Sequence, residues 1–244
     1  MSNNKIAKII HYCWFGDKQK SEFINKCISS WNNILEDYEI IEWNESNFNI
    51  NINNYVREAY EQKKYAFVSD YVRVYALYNY GGIYLDTDVE VFKKFDDLLE
   101  NDSFWGFEEK DYIATSTIGA KKGNKLIKEF LDSYENRSFL NKDGSIDTLT
   151  NVAIVSKIIS NLGIKLDGTF QKIDNLAVIY PQEYFSPYDY INCYSKKTNN
   201  TYTMHHFYKS WVPFSARLKA FAKKSLAKTF GGENIAKLRN KFQV

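Results

Sequence analysis

"YAFVSDYVRVYALYNYGGIYLDTDVEVF", residues 65–92, decides how this chain folds. Its first half is apolar nearly all round, the pattern of a buried helix over residues 65–79. Within that helix only Asp70 and Arg73 are charged. Three residues apart, they share a face and can pair. A buried charge is costly unless it is paired or bound to something, so a structural ion pair and a ligand contact are both open at this point. Gly81 and Gly82 then provide a C-cap and a tight reversal, and "IYLDTDVEVF" reads as the next strand.

Distances along this hairpin-like unit bring the charges together. At a rise of about 1.5 Å per residue, Arg73 lies roughly 12 Å before the reversal. At about 3.3 Å per residue, Asp86 lies roughly 13 Å after it. A strand returning beside the helix sets Arg73 level with Asp86, and Asp70 within a turn of Asp88. Read as extended chain, Asp86 and Asp88 project the same way. Two like charges side by side repel, and a divalent cation with oxygen ligands, Mn²⁺ or Mg²⁺, relieves that repulsion. The bland alternative for such a D-x-D is a solvated turn.

Working outward, "KIIHYCWFG" gives a strand over residues 8–14 and "YEIIEW" one over 38–43, with a helix over 21–33 between them. That order is a βαβ unit and points to an α/β sheet of nucleotide-binding type. Further helices are expected over 55–63, 125–134 and 150–162, and further strands over 103–108, 113–120 and 176–181. The 244 residues contain 3 Pro and 11 Gly, which leaves little room for linkers. Cys13, Cys27 and Cys193 are scattered and odd in number, the usage of reduced thiols rather than of a disulfide framework or a zinc site.

Charge divides the chain. Residues 214–244 hold eight basic side chains and one acidic, leaving 24 basic and 29 acidic in residues 1–213. The expected organisation is one α/β domain over 1–212 and a basic amphipathic helical tail over 213–244, suited to an anionic membrane leaflet or to packing on the domain. An acidic body offers no basic groove, so nucleic acid is not an expected partner. No secretory signal is evident, and no stretch approaches the roughly 20 apolar residues of a membrane span. A cytoplasmic enzyme, peripheral on the inner face of the plasma membrane, is the expectation.

"SDYVRVYALYNYGGIYLDTDVEV" resembles the signature of the family-32 glycosyltransferases, the group with the yeast initiating α-1,6-mannosyltransferase and many capsular polysaccharide transferases. The clostridial glucosylating toxins share this core more distantly. "IIHYCWFG" at the start and "HHFYKSW" at 205–211 extend the resemblance across the catalytic domain. It implies a GT-A fold and a nucleotide-sugar donor, UDP-linked more than GDP-mannose, held through a divalent metal. Asp86 and Asp88 would bridge metal and donor, with His205 as a further metal ligand. By the same resemblance Asp70 and Arg73 contact the donor sugar, Trp14 packs on the base and Tyr84 lies near the ribose. Ser210 and Trp211 close over the diphosphate, and Lys209 could add charge there. Retention of anomeric configuration and transfer to a saccharide acceptor, lipid-linked in surface polysaccharide synthesis, complete the implied activity.

Two rivals come from other classes. A haloacid-dehalogenase-type phosphohydrolase also follows a strand with D-x-D, the first Asp being its nucleophile, but it wants Thr or Val where Glu90 stands. A non-catalytic sugar-binding module has no use for paired metal carboxylates. His11 reads as a strand-packing residue, and adjacent His205 and His206 point apart in an extended segment, so one of them at most faces a metal.

Overall fold

The computed structural model describes residues 5–109, 111–208, 231, 232 and 234. Among them the chain runs β1 (Ile9–Cys13), α1 (Glu22–Ile34), β2 (Glu39–Trp43), α2 (Asn54–Glu61), α3 (Tyr65–Tyr80), β3 (Gly82–Leu85) and β4 (Val89–Val91). It continues β5 (Ser103–Glu109), β6 (Tyr112–Ile113), β7 (Thr117–Ala120), α4 (Lys125–Asp132) and α5 (Asn151–Asn161). The last described elements are β8 (Gln171–Ile173), β9 (Ala177–Tyr180), α6 (Gln182–Phe185), β10 (Tyr188–Asp189), β11 (Tyr194–Ser195) and β12 (Thr203–His205).

The main sheet has the order β2-β1-β3-β7-β5-β9-β8, with β6 paired to β5. β1 is parallel to β2 and β3, and β5 is parallel to β9, while β7 runs antiparallel between β3 and β5. Strands β1, β3, β5 and β9 therefore point the same way, and their C-terminal ends share one edge, where open α/β sheets bind ligands. This is the expected α/β sheet.

Local chemistry sets the helices. Ser21, Asn53, Asn124 and Thr150 each cap a helix start by accepting from backbone N–H groups of the first turn, worth typically about 1 kcal/mol apiece. Helix α3 buries Val68, Val72, Val74, Ala76 and Leu77 completely, as its apolar circumference predicts. It ends at Gly81, φ 70°, where an added Cβ would come within 2.6 Å of the Lys122 nitrogen. Gly82, φ 103°, passes as close to the Ile9 carbonyl, 2.6 Å from a Cβ position. No side chain fits either passage, so the double glycine is a requirement of the α3–β3 reversal.

Each face of the sheet carries its own apolar core. Helices α2 to α5 cover one, with Tyr55, Trp105, Phe107 and Phe130 among its fully buried rings. The other packs α1, β4 and the 180–202 region around Trp31, Phe95, Phe104 and Phe185. Here the Trp31 indole donates to the Val89 carbonyl at 2.7 Å, and the Val91 amide donates to Ser30 Oγ at 2.9 Å, which fixes α1 against β4.

Two expected strands are broken. "IYLDTDVEVF" is not one strand: β3 ends at Leu85, residues 86–88 form a turn closed by the Val89 amide on the Asp86 carbonyl at 3.0 Å, and β4 leaves for a separate two-stranded sheet with β12. Asp86 and Asp88 thus do not project together from extended chain. The 113–120 stretch likewise divides into β6 and β7, because β5 outlasts its pairing with β7 and takes β6 as a new partner. Strands β8, β10, β11 and β12 and helix α6 were not expected; each is four residues or shorter, too short for a periodicity to register. The expected basic tail over 213–244 lies outside the described residues apart from Gly231, Gly232 and Asn234. Gly232 is buried against Asn192 and Tyr194.

Candidate active site

Arg73 organises the inner half of the site. Its Nη2 donates to Asp70 Oδ1 at 2.8 Å and stands 3.3 Å from Asp86 Oδ1, while Nη1 donates to the Thr115 carbonyl at 2.6 Å. The guanidinium lies 4.7 Å above the Tyr84 ring, and the Tyr84 hydroxyl donates to Asp86 Oδ1 at 2.9 Å. Burial opposes the charge on Arg73, but Asp86 and Asp70 outweigh it and hold the group firmly protonated. Burial lifts the Asp70 carboxyl to about 6 against the pull of Arg73. The Asp86 amide donates to the Ser116 carbonyl at 2.9 Å, which carries the end of β3 across to the start of β7.

The outer half is built by the short β4–β12 sheet. Antiparallel pairing sets His205 opposite Val89, and the His205 Nε2 lies 3.4 Å from Asp88 Oδ1. Asp88 also accepts from the Tyr208 amide at 2.7 Å through its other carboxylate oxygen. His206 turns the opposite way, to Glu90 at 2.9 Å, as adjacent residues of an extended strand must. A hydroxyl pair, Thr117 and Thr203 at 3.1 Å, ties this small sheet to the main one.

Asp86, Asp88 and His205 each offer a ligand atom within 4.8 Å of the others. Two carboxylate oxygens and an imidazole nitrogen suit Mn²⁺ or Mg²⁺ with its remaining positions left to phosphate and water. The local field agrees. Burial alone would lower the His205 imidazole, yet Asp88, Asp86 and Glu108 raise it to about 9. Those carboxylates call for a cation at this spot. Asp88, for its part, is drawn below the usual carboxylate range by His205 and the Tyr208 amide, despite burial. His205 Nδ1 is buried with no hydrogen-bond partner among the described residues.

The remaining expected residues fall into three groups. Trp14 follows β1 at the same sheet edge, its indole donating to the Lys18 carbonyl at 2.7 Å with Lys20 5.3 Å above the ring. Tyr84 is only 2% exposed, and its hydroxyl donates to Asp86 and so braces that carboxylate. Lys209, Ser210 and Trp211 lie outside the described residues. Sequence reasoning missed Thr115 and Ser116, which contribute backbone carbonyls and so leave no side-chain signal. It also passed over Glu108, although a charged pair ending an apolar strand, "SFWGFEE", repeats the pattern of β3 and its aspartates.

His11 is the third histidine and stands apart from the site. The Trp43 indole donates to its Nδ1 at 3.2 Å, and its Nε2 lies 2.8 Å from the Gly81 carbonyl. Indole can only donate and a carbonyl can only accept, so the ring is neutral with its proton on Nε2. Burial lowers its pKa to about 4, in keeping with that state.

Residues 21–105 match the family model described as "Glycosyltransferase sugar-binding region containing DXD motif". That segment holds Asp70, Arg73, Asp86 and Asp88. No curated protein matches the chain. Among solved structures, "PaToxG Glycosyltransferase" is similar at 20% identity and a TM-score of 0.47, over 65% of this chain and 70% of that one. A glycosyltransferase involved in glycosylation of the major capsid of PBCV-1 is similar at 10% identity and a TM-score of 0.46, over 89% and 98%. The galactosyltransferase LgtC, in complex with donor and acceptor sugar analogs, is similar at 14% identity and a TM-score of 0.41, over 91% and 95%.

Proposed function

We propose that the protein is a metal-dependent, retaining glycosyltransferase of the family-32 type, moving a hexose from a UDP-sugar to a saccharide acceptor. What carries this reading is one arrangement: Arg73 bridging Asp70 and Asp86 on one side of a turn whose other side presents Asp88 to His205. In this reading Asp86, Asp88 and His205 hold Mn²⁺ or Mg²⁺. A bound divalent ion would neutralise the charge that develops on a departing diphosphate. Arg73 adds a fixed positive charge beside it, in a buried setting where it needs no reorganisation. Asp70 accepts hydroxyls of the donor sugar and so fixes its orientation. Trp14 supplies an aromatic face for the base, and Ser210 and Trp211 close over the diphosphate.

The phosphohydrolase alternative needs Asp86 as its nucleophile, but Asp86 Oδ1 is already shared by Tyr84 and Arg73. We extend the proposal to a lipid-linked acceptor in surface polysaccharide synthesis, with residues 213–244 meeting an anionic leaflet; flotation with anionic vesicles tests that contact. No helix among the described residues is long and apolar enough to cross a membrane. The deciding experiment is a panel of UDP- and GDP-sugars with Mn²⁺, followed by release of nucleoside diphosphate. Turnover or binding of one donor, lost on chelation, is the expected result; no response to any donor would sink the reading.

A further inference from the structure

A cavity of about 450 Å³ opens beyond the end of β5, lined by Glu109, Asp167, Gln182, Glu183, Lys196 and Thr198. It lies at the strand-end edge of the sheet, where β5 and β9 both finish. The end of strand β5 passes within the field of the metal cluster at Glu108 and reaches the cavity at Glu109. Phe104 belongs to the core on the β4–β12 side, and a Cβ on Gly106 would strike Phe185 on that same side. Between Phe107 and Glu109 the strand shifts register against β6, and Glu108, at that irregularity, lies in the field of His205, Asp86 and Arg73. The next residue, Glu109, lines the cavity.

Two further links join cavity and cluster. Gln182, in the cavity wall, donates to the Glu108 carbonyl. Tyr190, whose hydroxyl pKa is raised by burial and then by Glu109 and Glu108, sets its ring 4.7 Å from Phe207 in a tilted pair, and the Phe207 ring lies 4.0 Å from that of His205. A chain of rings thus runs from beside Glu109, in the cavity wall, to His205. Aromatic faces of this kind pack against the apolar face of a sugar ring.

The walls select by charge. Three carboxylates, Glu109, Asp167 and Glu183, stand against one ammonium, Lys196, which leans toward Asp189 at 3.7 Å. Carboxylates accept strongly from sugar hydroxyls, and they repel a second anion.

We propose that this cavity is the acceptor subsite and that the sugar it takes is an uncharged one, with any phosphate or carboxylate of the acceptor kept outside. The assignment rests on the donor reading above, since it places the acceptor beside Asp86, Asp88 and His205. Its test does not need the donor. Saturation-transfer NMR on the full chain would be run with methyl β-glucoside, lactose and maltose, and with methyl β-glucuronide as the acidic counterpart. A neutral saccharide binds saturably, the glucuronide binds at least tenfold more weakly, and Glu109→Gln or Glu183→Gln weakens the neutral ligand by roughly tenfold, one charge-assisted bond each. Equal binding of the glucuronide, unchanged affinity in both variants, or no binding of any neutral saccharide overturns the subsite. A wild-type chain that binds no nucleotide sugar overturns the donor reading instead, and the saccharide titration still decides the cavity.

Discussion

Arg73 Nη2 stands 3.3 Å from Asp86 Oδ1, across the reversal made by Gly81 and Gly82. Removing the guanidinium leaves Asp70 and Asp86 without their shared counter-charge and the Thr115 carbonyl without its donor. Breaking a buried pair in this way costs about 3–5 kcal/mol. Arg73→Ala should therefore lower the unfolding free energy read from urea denaturation by that amount and abolish transfer. Arg73→Lys keeps the charge but not the forked geometry. It should recover part of the stability and little of the activity. Denaturation and turnover of the two variants, compared side by side, check both statements.

Mn²⁺ should stabilise the wild-type chain. A ligand at about 100 times its Kd adds roughly 2.7 kcal/mol to a folded protein, visible as a rise in thermal midpoint that EDTA reverses. Asp88→Asn should lose that rise and metal-dependent donor binding together. The cost to the metal-free fold stays near 1 kcal/mol, because an amide oxygen still accepts from the Tyr208 N–H. Full activity in Asp88→Asn would remove the metal assignment.

His11 gives a pH signature unconnected with catalysis. Its folded pKa is depressed from 6.5 to about 4, so its contribution is fully present above pH 6.5 and is lost as pH falls from there through 4. At 1.36 kcal/mol per unit the whole loss is about 3 kcal/mol. His11→Gln, which keeps a donor toward Gly81, should show a shallower acid decline than wild type. Urea midpoints at pH 7.5, 6 and 4.5 would reveal it; parallel curves for the two proteins would contradict it.

Gly82→Ala tests the reversal itself. A Cβ there meets the Ile9 carbonyl at 2.6 Å with φ at 103°, and strain of this kind costs about 1–3 kcal/mol before any clash is counted. The substitution should displace β3 and with it Asp86, so that donor binding falls further than stability does. Parallel losses in chemical denaturation and in donor titration would argue that only folding is affected.

The sequence was most legible where one segment carries both structure and chemistry. The length of α3, its two charges and the double glycine all lie in residues 65–82, and counting along helix and strand was enough to bring Arg73 to Asp86. The turn at 86–88 was not legible, because β4 owes its direction to β12, more than a hundred residues later. Val89 and Val91 look like a continuation of β3 until Thr203, Met204 and His205 are seen beside them. His205 was reachable only through resemblance, since its approach to Asp88 depends on that long-range pairing. Thr115 and Ser116 were invisible for another reason: they act through main-chain oxygen atoms, which every residue possesses.

The turn at 86–88 has a consequence beyond catalysis. Asp88 receives the Tyr208 amide from 120 positions away, and His205 closes on the same carboxylate. An ion seated among Asp86, Asp88 and His205 would therefore act as a clasp between residues 86–88 and residues 205–208. Whatever occupies that clasp would also hold β12 and the Tyr208 amide against the β3–β4 turn.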